Sequence, residues 1–155
     1  MFRGVNALSL DNKGRLAMPT RYREALQTSA KGGGHLVCTV NPVEHDHCLL
    51  LYPLPEWEQI ELKLVKLPTL NATTRRLQRL LIGHATELEL DGNGRILLPP
   101  PLREFASLDK AVVLIGQGNK FEIWDEARWN TRRAEWLSAA GQPGELPDEL
   151  GSLSL

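Results

Sequence analysis

Apolar and polar positions alternate with a period of two through Leu8 and Leu10 and again through Leu16 and Met18, with the polar stretch Asp11-Asn12-Lys13-Gly14-Arg15 between them. This pattern predicts a strand, a tight turn and a second strand. Leu88, Leu90, Ile96 and Leu98 repeat it around Asp91-Gly92-Asn93-Gly94-Arg95. Pro19-Thr20 and Pro99-Pro100 end the second strand in each case and can open a short helix, because proline is tolerated in a first helical turn. Two further strand pairs follow, His35–Val40 with Cys48–Tyr52 and Ala111–Ile115 with Lys120–Trp124. Between them the period lengthens. Pro55 to Leu67 places Trp57, Ile60, Leu64 and Leu67 on one helical face, Pro68 interrupts, and Asn71 can cap a second helix reaching Ile82. A third helical stretch runs from Asp125 to Ala140.

The likeness of the two halves is a duplication. A shift of 80 places Leu8–Glu24 on Leu88–Glu104 without a gap, and eight of the 17 positions are identical, among them Asp11/Asp91, Gly14/Gly94, Arg15/Arg95, Pro19/Pro99 and Arg23/Arg103. A shift of 72 aligns Leu49–Tyr52 and Trp57 with Phe121–Trp124 and Trp129, so the first copy is eight residues longer. The surplus falls between Ala25 and Cys48, where Lys31-Gly32-Gly33-Gly34 and Pro42–His47 read as loops. Each copy has the order ββαββ. A unit of about 45 residues buries too small a fraction of its surface to be stable alone, so the copies are expected to complete one another. The expected fold is α+β: a pseudo-twofold, interleaved β-barrel built from two ββαββ repeats, with helices packed outside. The expected segments are repeat 1 at 5–54, a helical connector at 55–82, repeat 2 at 83–126, a C-terminal helix at 127–140, and an acidic tail at 141–155 expected to be flexible.

Composition narrows the function classes. The 155 residues are 42% hydrophobic and 24% charged, as in an ordinary globular domain. No apolar run approaches the roughly 20 residues of a membrane span, and the start MFRGVNALSL has no apolar signal-peptide core. A cytoplasmic location is expected, with Cys38 and Cys48 as free buried thiols rather than a disulfide. The net charge of −1 excludes a protein that coats nucleic acid through bulk positive charge. Charge is uneven along the chain, however: residues 1–40 carry six Lys/Arg against two acids, whereas residues 41–60 carry four acids and no Lys/Arg.

The turns hold the candidate chemistry. Asp11 can accept backbone N–H bonds, and Gly14 can adopt the positive φ that closes the turn. Arg15 and Arg95 leave the two turns at equivalent positions, and a planar guanidinium suits phosphate oxygens or the O6/N7 edge of guanine. The plainer alternative is that Arg15 pairs only with Asp11. Lys13, Arg21 and Arg23 add cations to the first copy. In the second, Asn93 and Pro101 replace Lys13 and Arg21, so the first copy is expected to be the stronger anion binder.

The opening MFRG, the D-x-K-G-R turn with P-x-x-x-R after it, CLLLYPLPEW, RRLQRLLIGHA and the second D-x-x-G-R resemble the MraZ family of bacterial transcription regulators, from Met1 to about Trp136. The resemblance implies two SpoVT/AbrB-type domains with a swapped-hairpin barrel. It further implies sequence-specific binding of double-stranded DNA, control of the division and cell-wall gene cluster including the protein's own gene, and ring assembly. By the same resemblance the D-x-x-x-R turn is the DNA-contacting element, here Arg15 and Arg95 with Asp11, Lys13, Gly14, Asp91 and Gly94. A ring would place its basic tips on tandem promoter repeats, with Arg15 reading bases and Lys13, Arg21 and Arg23 on phosphates; association with the nucleoid is then expected.

Rival readings are weaker. Cys38, His45, His47 and Cys48 include zinc-compatible types, yet their spacing matches no common zinc signature. His84 is expected to pack or to cap. Walker-loop, nucleophile-elbow and paired zinc-protease motifs are missing, so no catalysis, cofactor or small-molecule substrate is expected. An antitoxin of the same fold, its tail wrapped on a toxin, is disfavoured by the duplication within one chain.

Overall fold

The computed structural model describes residues 1–139 and 152–153. Apart from Ser152 and Leu153, the expected tail at 141–155 therefore lies outside the described residues. Along the chain the strands are β1 (Phe2–Ser9), β2 (Arg15–Ala17), β3 (His35–Val40), β4 (Leu49–Pro53), β5 (Thr86–Glu89), β6 (Arg95–Leu97), β7 (Ala111–Gly118) and β8 (Phe121–Asp125). The helices are α1 (Thr20–Gln27), α2 (Leu54–Val65), α3 (Ala72–Leu77), α4 (Pro100–Phe105) and α5 (Glu126–Ala139). The order ββαββ thus occurs twice in an α+β chain.

The strands do not pair as their order suggests. β1 and β2 share only the isolated bridge Leu10↔Leu16. Instead β1 runs antiparallel to β7 over its whole length, from Phe2↔Gly118 to Ser9↔Ala111. β5 lies antiparallel to β3, and β2 to β6. Each strand–turn–strand unit therefore gives both arms to the other repeat. Six strands form one sheet in the order β1-β7-β8-β4-β3-β5, and β2 and β6 form a separate two-stranded ribbon. The sheet is open, with β1 and β5 as its edges, and the expected closed barrel is not formed by its ladders. The physical reason is length: β2 and β6 have three residues each, too short to carry a continuous ladder from one sheet edge to the other, and beside their mutual pairing β2 meets the end of β1 through the isolated bridge Leu10↔Leu16.

Period-two alternation in the central strands builds cores on both faces. Leu36, Cys38, Leu49, Leu51, Val112, Leu114, Phe121 and Ile123 face inward and meet Leu16, Met18, Ile96 and Leu98 of the ribbon segments, with Leu26 of α1 and Leu102 of α4. On the outer face Val37, Leu50 and Tyr52 meet Trp57 and Leu64 of α2. Cys48, Val113, Ile115 and Trp124 meet Trp129 of α5. Trp124, Trp129 and Trp136 stand edge to face in a triad, with centroids 5.6–5.8 Å apart. Arg132 ties α5 to the loop before β4, its Nη2 donating to Asp46 Oδ1 at 3.0 Å.

The connector follows its capping chemistry. Asn71 Oδ1 accepts from the Thr73 and Thr74 amides at 2.8 and 3.2 Å. After Leu77 the helix widens into a π-helical turn, Gln78–Ile82. That turn is held by the Thr39 hydroxyl donating to the Leu81 carbonyl at 2.7 Å and by Gln78 Nε2 donating to the Leu64 carbonyl at 2.8 Å. His84 Nδ1 lies 2.9 Å from the Leu80 carbonyl, at the end of the same turn. Of the expected apolar face of α2, Trp57 and Leu64 are buried, whereas Leu67, beyond the helix end, is exposed.

Two neighbours on β6 separate burial from exposure: Ile96 is 0% exposed and Leu97 is 53% exposed. Truncating Ile96 to Ala opens a core cavity and should cost about 2–5 kcal/mol. Leu97→Ala should change stability by less than about 0.5 kcal/mol. Urea denaturation of both variants checks this contrast.

Candidate nucleic-acid interface

The two turns are built alike, bond for bond. In the first, Asp11 Oδ1 accepts from the Lys13 and Arg15 amides, each at 2.9 Å, and the Gly14 amide donates to the Asp11 carbonyl at 3.0 Å. In the second, Asp91 Oδ1 accepts from the Asn93 and Arg95 amides at 2.8 and 2.9 Å, and the Gly94 amide donates to the Asp91 carbonyl at 2.9 Å. Gly14 and Gly94 have φ of 84° and 72°, a region that costs a residue with a Cβ. The second carboxylate oxygen of each Asp takes the arginine Nε, at 2.6 Å for Arg15 and 3.1 Å for Arg95. Each guanidinium is thus gripped at Nε. Among the described residues its two terminal nitrogens have no hydrogen-bond partner.

These bonds hold both aspartates ionised. The Arg15 amide and then the Arg15 guanidinium and Lys13 amide lower the Asp11 pKa to about 2, against some opposing desolvation. The Arg95 amide leads the same effect at Asp91, which is also lowered. The Asp–Arg pairing that could have stood as the whole explanation is present. It leaves the outer end of each arginine unspent.

Strand exchange brings the arginines together. In the ribbon Arg15 lies opposite Leu97, Leu16 opposite Ile96, and Ala17 opposite Arg95. Directly opposed residues share a face and neighbours along a strand alternate. Leu16 and Ile96, both 0% exposed, take the inner face. Arg15, Ala17, Arg95 and Leu97 therefore share the outer one. The two arginines are diagonal neighbours, with backbones about 7–8 Å apart. They stand on one small surface rather than at two remote tips.

The remaining cations do not gather where chain order puts them. Arg23 Nε donates to the Met18 carbonyl at 2.6 Å, and its side chain lies against Gly94, where a Cβ would come within 2.4–2.7 Å of it. Arg103 does the converse: it donates to the Leu98 carbonyl at 3.0 Å and lies against Gly14, where a Cβ would meet it at 2.7 Å. Each arginine supports the turn of the other repeat. Arg21 faces β1, bonding Asn6 Oδ1 and, at 2.9 Å, the Tyr22 hydroxyl. Lys13 borders a groove of about 530 Å³ whose walls include Glu87, Glu89, Leu97, Pro99 and Arg103. Arg103 was not among the expected site residues, although its signal was in the sequence: Arg23/Arg103 persists in both copies while Lys13 and Arg21 do not.

The metal alternative finds no centre: among the described residues no group of three or more His, Cys, Asp or Glu is placed to hold an ion. His45 is exposed beside Glu44, and His47 stacks on Phe105 with centroids 5.6 Å apart. Cys38 and Cys48 are free and buried. Burial pushes the Cys38 thiol up to about 12 and raises that of Cys48, with the charge of Glu122 adding to it. Among the described residues no helix is long and apolar enough to cross a membrane.

A family model described as "MraZ protein, putative antitoxin-like" matches residues 1–80 and 81–141. The chain is 63% identical to a protein of Methylococcus capsulatus named transcriptional regulator MraZ, over 99% of each chain. It is 60% identical to proteins of the same name from Halorhodospira halophila and Pseudomonas aeruginosa, over 100% of each.

Two outcomes test the turn geometry. The stabilising bonds to Asp11 are fully present above its ordinary value near 3.8 and should be lost as pH falls through about 2, so a carboxyl NMR titration should give a midpoint near 2. Gly14→Ala should destabilise by more than about 1–2 kcal/mol, because the unfavourable φ is compounded by displacement of Arg103; thermal unfolding reads it.

Proposed function

The chain belongs to the MraZ family, and from that premise we propose that it is a transcription regulator that binds double-stranded DNA through the outer face of the β2–β6 ribbon. Its relatives bear the name of a regulator and not of an enzyme. The observation that carries the DNA reading is the diagonal pair of arginines on that face, each gripped at Nε by its own turn carboxylate. The major groove of B-DNA, about 12 Å wide, admits a two-stranded ribbon, and a guanidinium held at Nε can still offer two terminal donors to guanine O6 and N7.

In this reading Arg15 and Arg95 read base edges, about two base-pair steps of roughly 3.4 Å apart. Lys13, whose ammonium has no hydrogen-bond or ion-pair partner among the described residues, takes a phosphate. Arg21 and Arg23 meet phosphate with the parts of their guanidinium groups not engaged in the fold. A chain of net charge −1 binds one site weakly, since affinity grows with the number of phosphates neutralised. A ring of copies, each placing its ribbon on one of several tandem promoter repeats, multiplies that affinity through effective concentration. Repression of the division and cell-wall gene cluster, including its own gene, is the regulatory outcome, and the nucleoid is its place of action.

The family description's words "antitoxin-like" favour one second reading, a partner of a small toxin. A stoichiometric small protein retained by the purified chain would establish it.

A mobility-shift titration with the DNA upstream of its own gene, at two salt concentrations, tests the proposal. Arg15→Ala should lose about 1–3 kcal/mol of discrimination between that DNA and a random sequence while remaining folded. Lys13→Ala should weaken both DNAs alike and lower the salt slope by about one. Equal binding of upstream and random DNA by the parent protein overturns the reading.

A further inference from the structure

The outer face of the ribbon is symmetric in its arginines and asymmetric between them. A rotation that exchanges the repeats carries Arg15 to Arg95, but it carries Leu97 to Ala17. Leu97 stands directly across from Arg15, is 53% exposed, and borders the groove beside Lys13. Its side chain reaches two bonds beyond the Cβ at which Ala17 ends. An apolar side chain on a strand is ordinarily explained by the core behind it, yet that core is filled from this ribbon by Leu16 and Ile96 on the opposite face.

Resting on the DNA reading above, we propose that Leu97 is a specificity-determining residue that packs on the 5-methyl group of a thymine next to the base read by Arg15. In the major groove thymine alone presents a methyl group, and apolar side chains distinguish it by contact. Leu97 and Arg15, opposed in register with Cβ atoms about 4.5–5.5 Å apart, span roughly one base step and its neighbour. At the other end of the ribbon Ala17 is too short to make the same contact beside Arg95. The face therefore reads a thymine at one end only, and a pseudo-twofold element acquires a direction along the DNA. A directed reader suits head-to-tail repeats, whereas a symmetric one would suit palindromes.

The test uses the full chain and two probes of the DNA upstream of its own gene, one amplified with thymidine and one with deoxyuridine, which differ only in the methyl groups. Parent protein and Leu97→Ala are titrated on both. Removing the methyl should weaken the parent by about fourfold per contacted thymine, the loss of one buried carbon. Leu97→Ala should bind the thymidine probe more weakly by a similar factor and bind both probes alike. A Leu97→Met variant, which keeps an apolar reach, should recover the difference. If Leu97→Ala loses the same factor on both probes, or if the parent prefers upstream over random DNA yet ignores the methyls, Leu97 does not read thymine and only this inference fails. If the parent shows no preference for upstream DNA at all, the DNA reading fails with it.

Discussion

Everything on the ribbon face depends on a reciprocal lock between the two turns. The Met18 amide donates to the Gly94 carbonyl at 2.9 Å, and the Leu98 amide donates to the Gly14 carbonyl at 3.0 Å. Arg23 and Arg103 fill the space that a Cβ would occupy at the partner glycine, while bonding the Met18 and Leu98 carbonyls in their own repeats. Glycine is required here twice over, for its positive φ and for the lack of a side chain. The lock accounts for strand exchange, because an arm held by the other repeat's turn lies where it pairs with the other repeat's strand. It also satisfies backbone groups that would otherwise be left unpaired at the edges of a three-residue ribbon.

From the lock follows the geometry of the arginines. A lone exposed arginine samples many rotamers, and ordering it costs entropy whenever it binds. Here the turn carboxylate, itself held ionised by two backbone amides, fixes Nε and leaves the terminal nitrogens for a ligand. The same Asp thus has two duties, closing the turn and aiming the guanidinium. Because β2 and β6 pair with each other, two such units share one face with a short apolar strip between them, a surface that neither repeat could present alone.

The distribution of charge shows how far chain order can mislead. Residues 13–23 hold four cations in succession-like spacing, Lys13, Arg15, Arg21 and Arg23, and chain proximity suggests one basic cluster. In the fold they separate. Arg15 stays on the ribbon, Arg23 goes beneath the second turn, Arg21 turns to Asn6 and Tyr22 of the β1 side, and Lys13 borders a groove that also carries Glu87 and Glu89. The first turn receives Arg103 in exchange, a residue 88 positions after Arg15. Arg23 and Arg103 thus exchange one for one, and the two cations that only the first copy carries, Lys13 and Arg21, line different grooves.

What the sequence determined by itself is what short-range physics controls. Period-two alternation, turn chemistry and capping placed the strands, the Asp–Gly–Arg turns and the Asn71 cap, and the duplication showed that Arg15 and Arg95 are equivalent positions. These features depend on residues within a few positions of each other, so the chain carries them in legible form. Only the tertiary structure decided which strand pairs with which, that the sheet stays open, and that Arg23 and Arg103 support each other's turns. It also decided that Leu97, apolar like Ile96 beside it, faces outward while Ile96 is buried. Those outcomes turn on contacts between residues some 80 positions apart, where two repeats of like pattern offer self-pairing and exchange with the same local signals. The choice between them is made by the burial that only the assembled pair can complete.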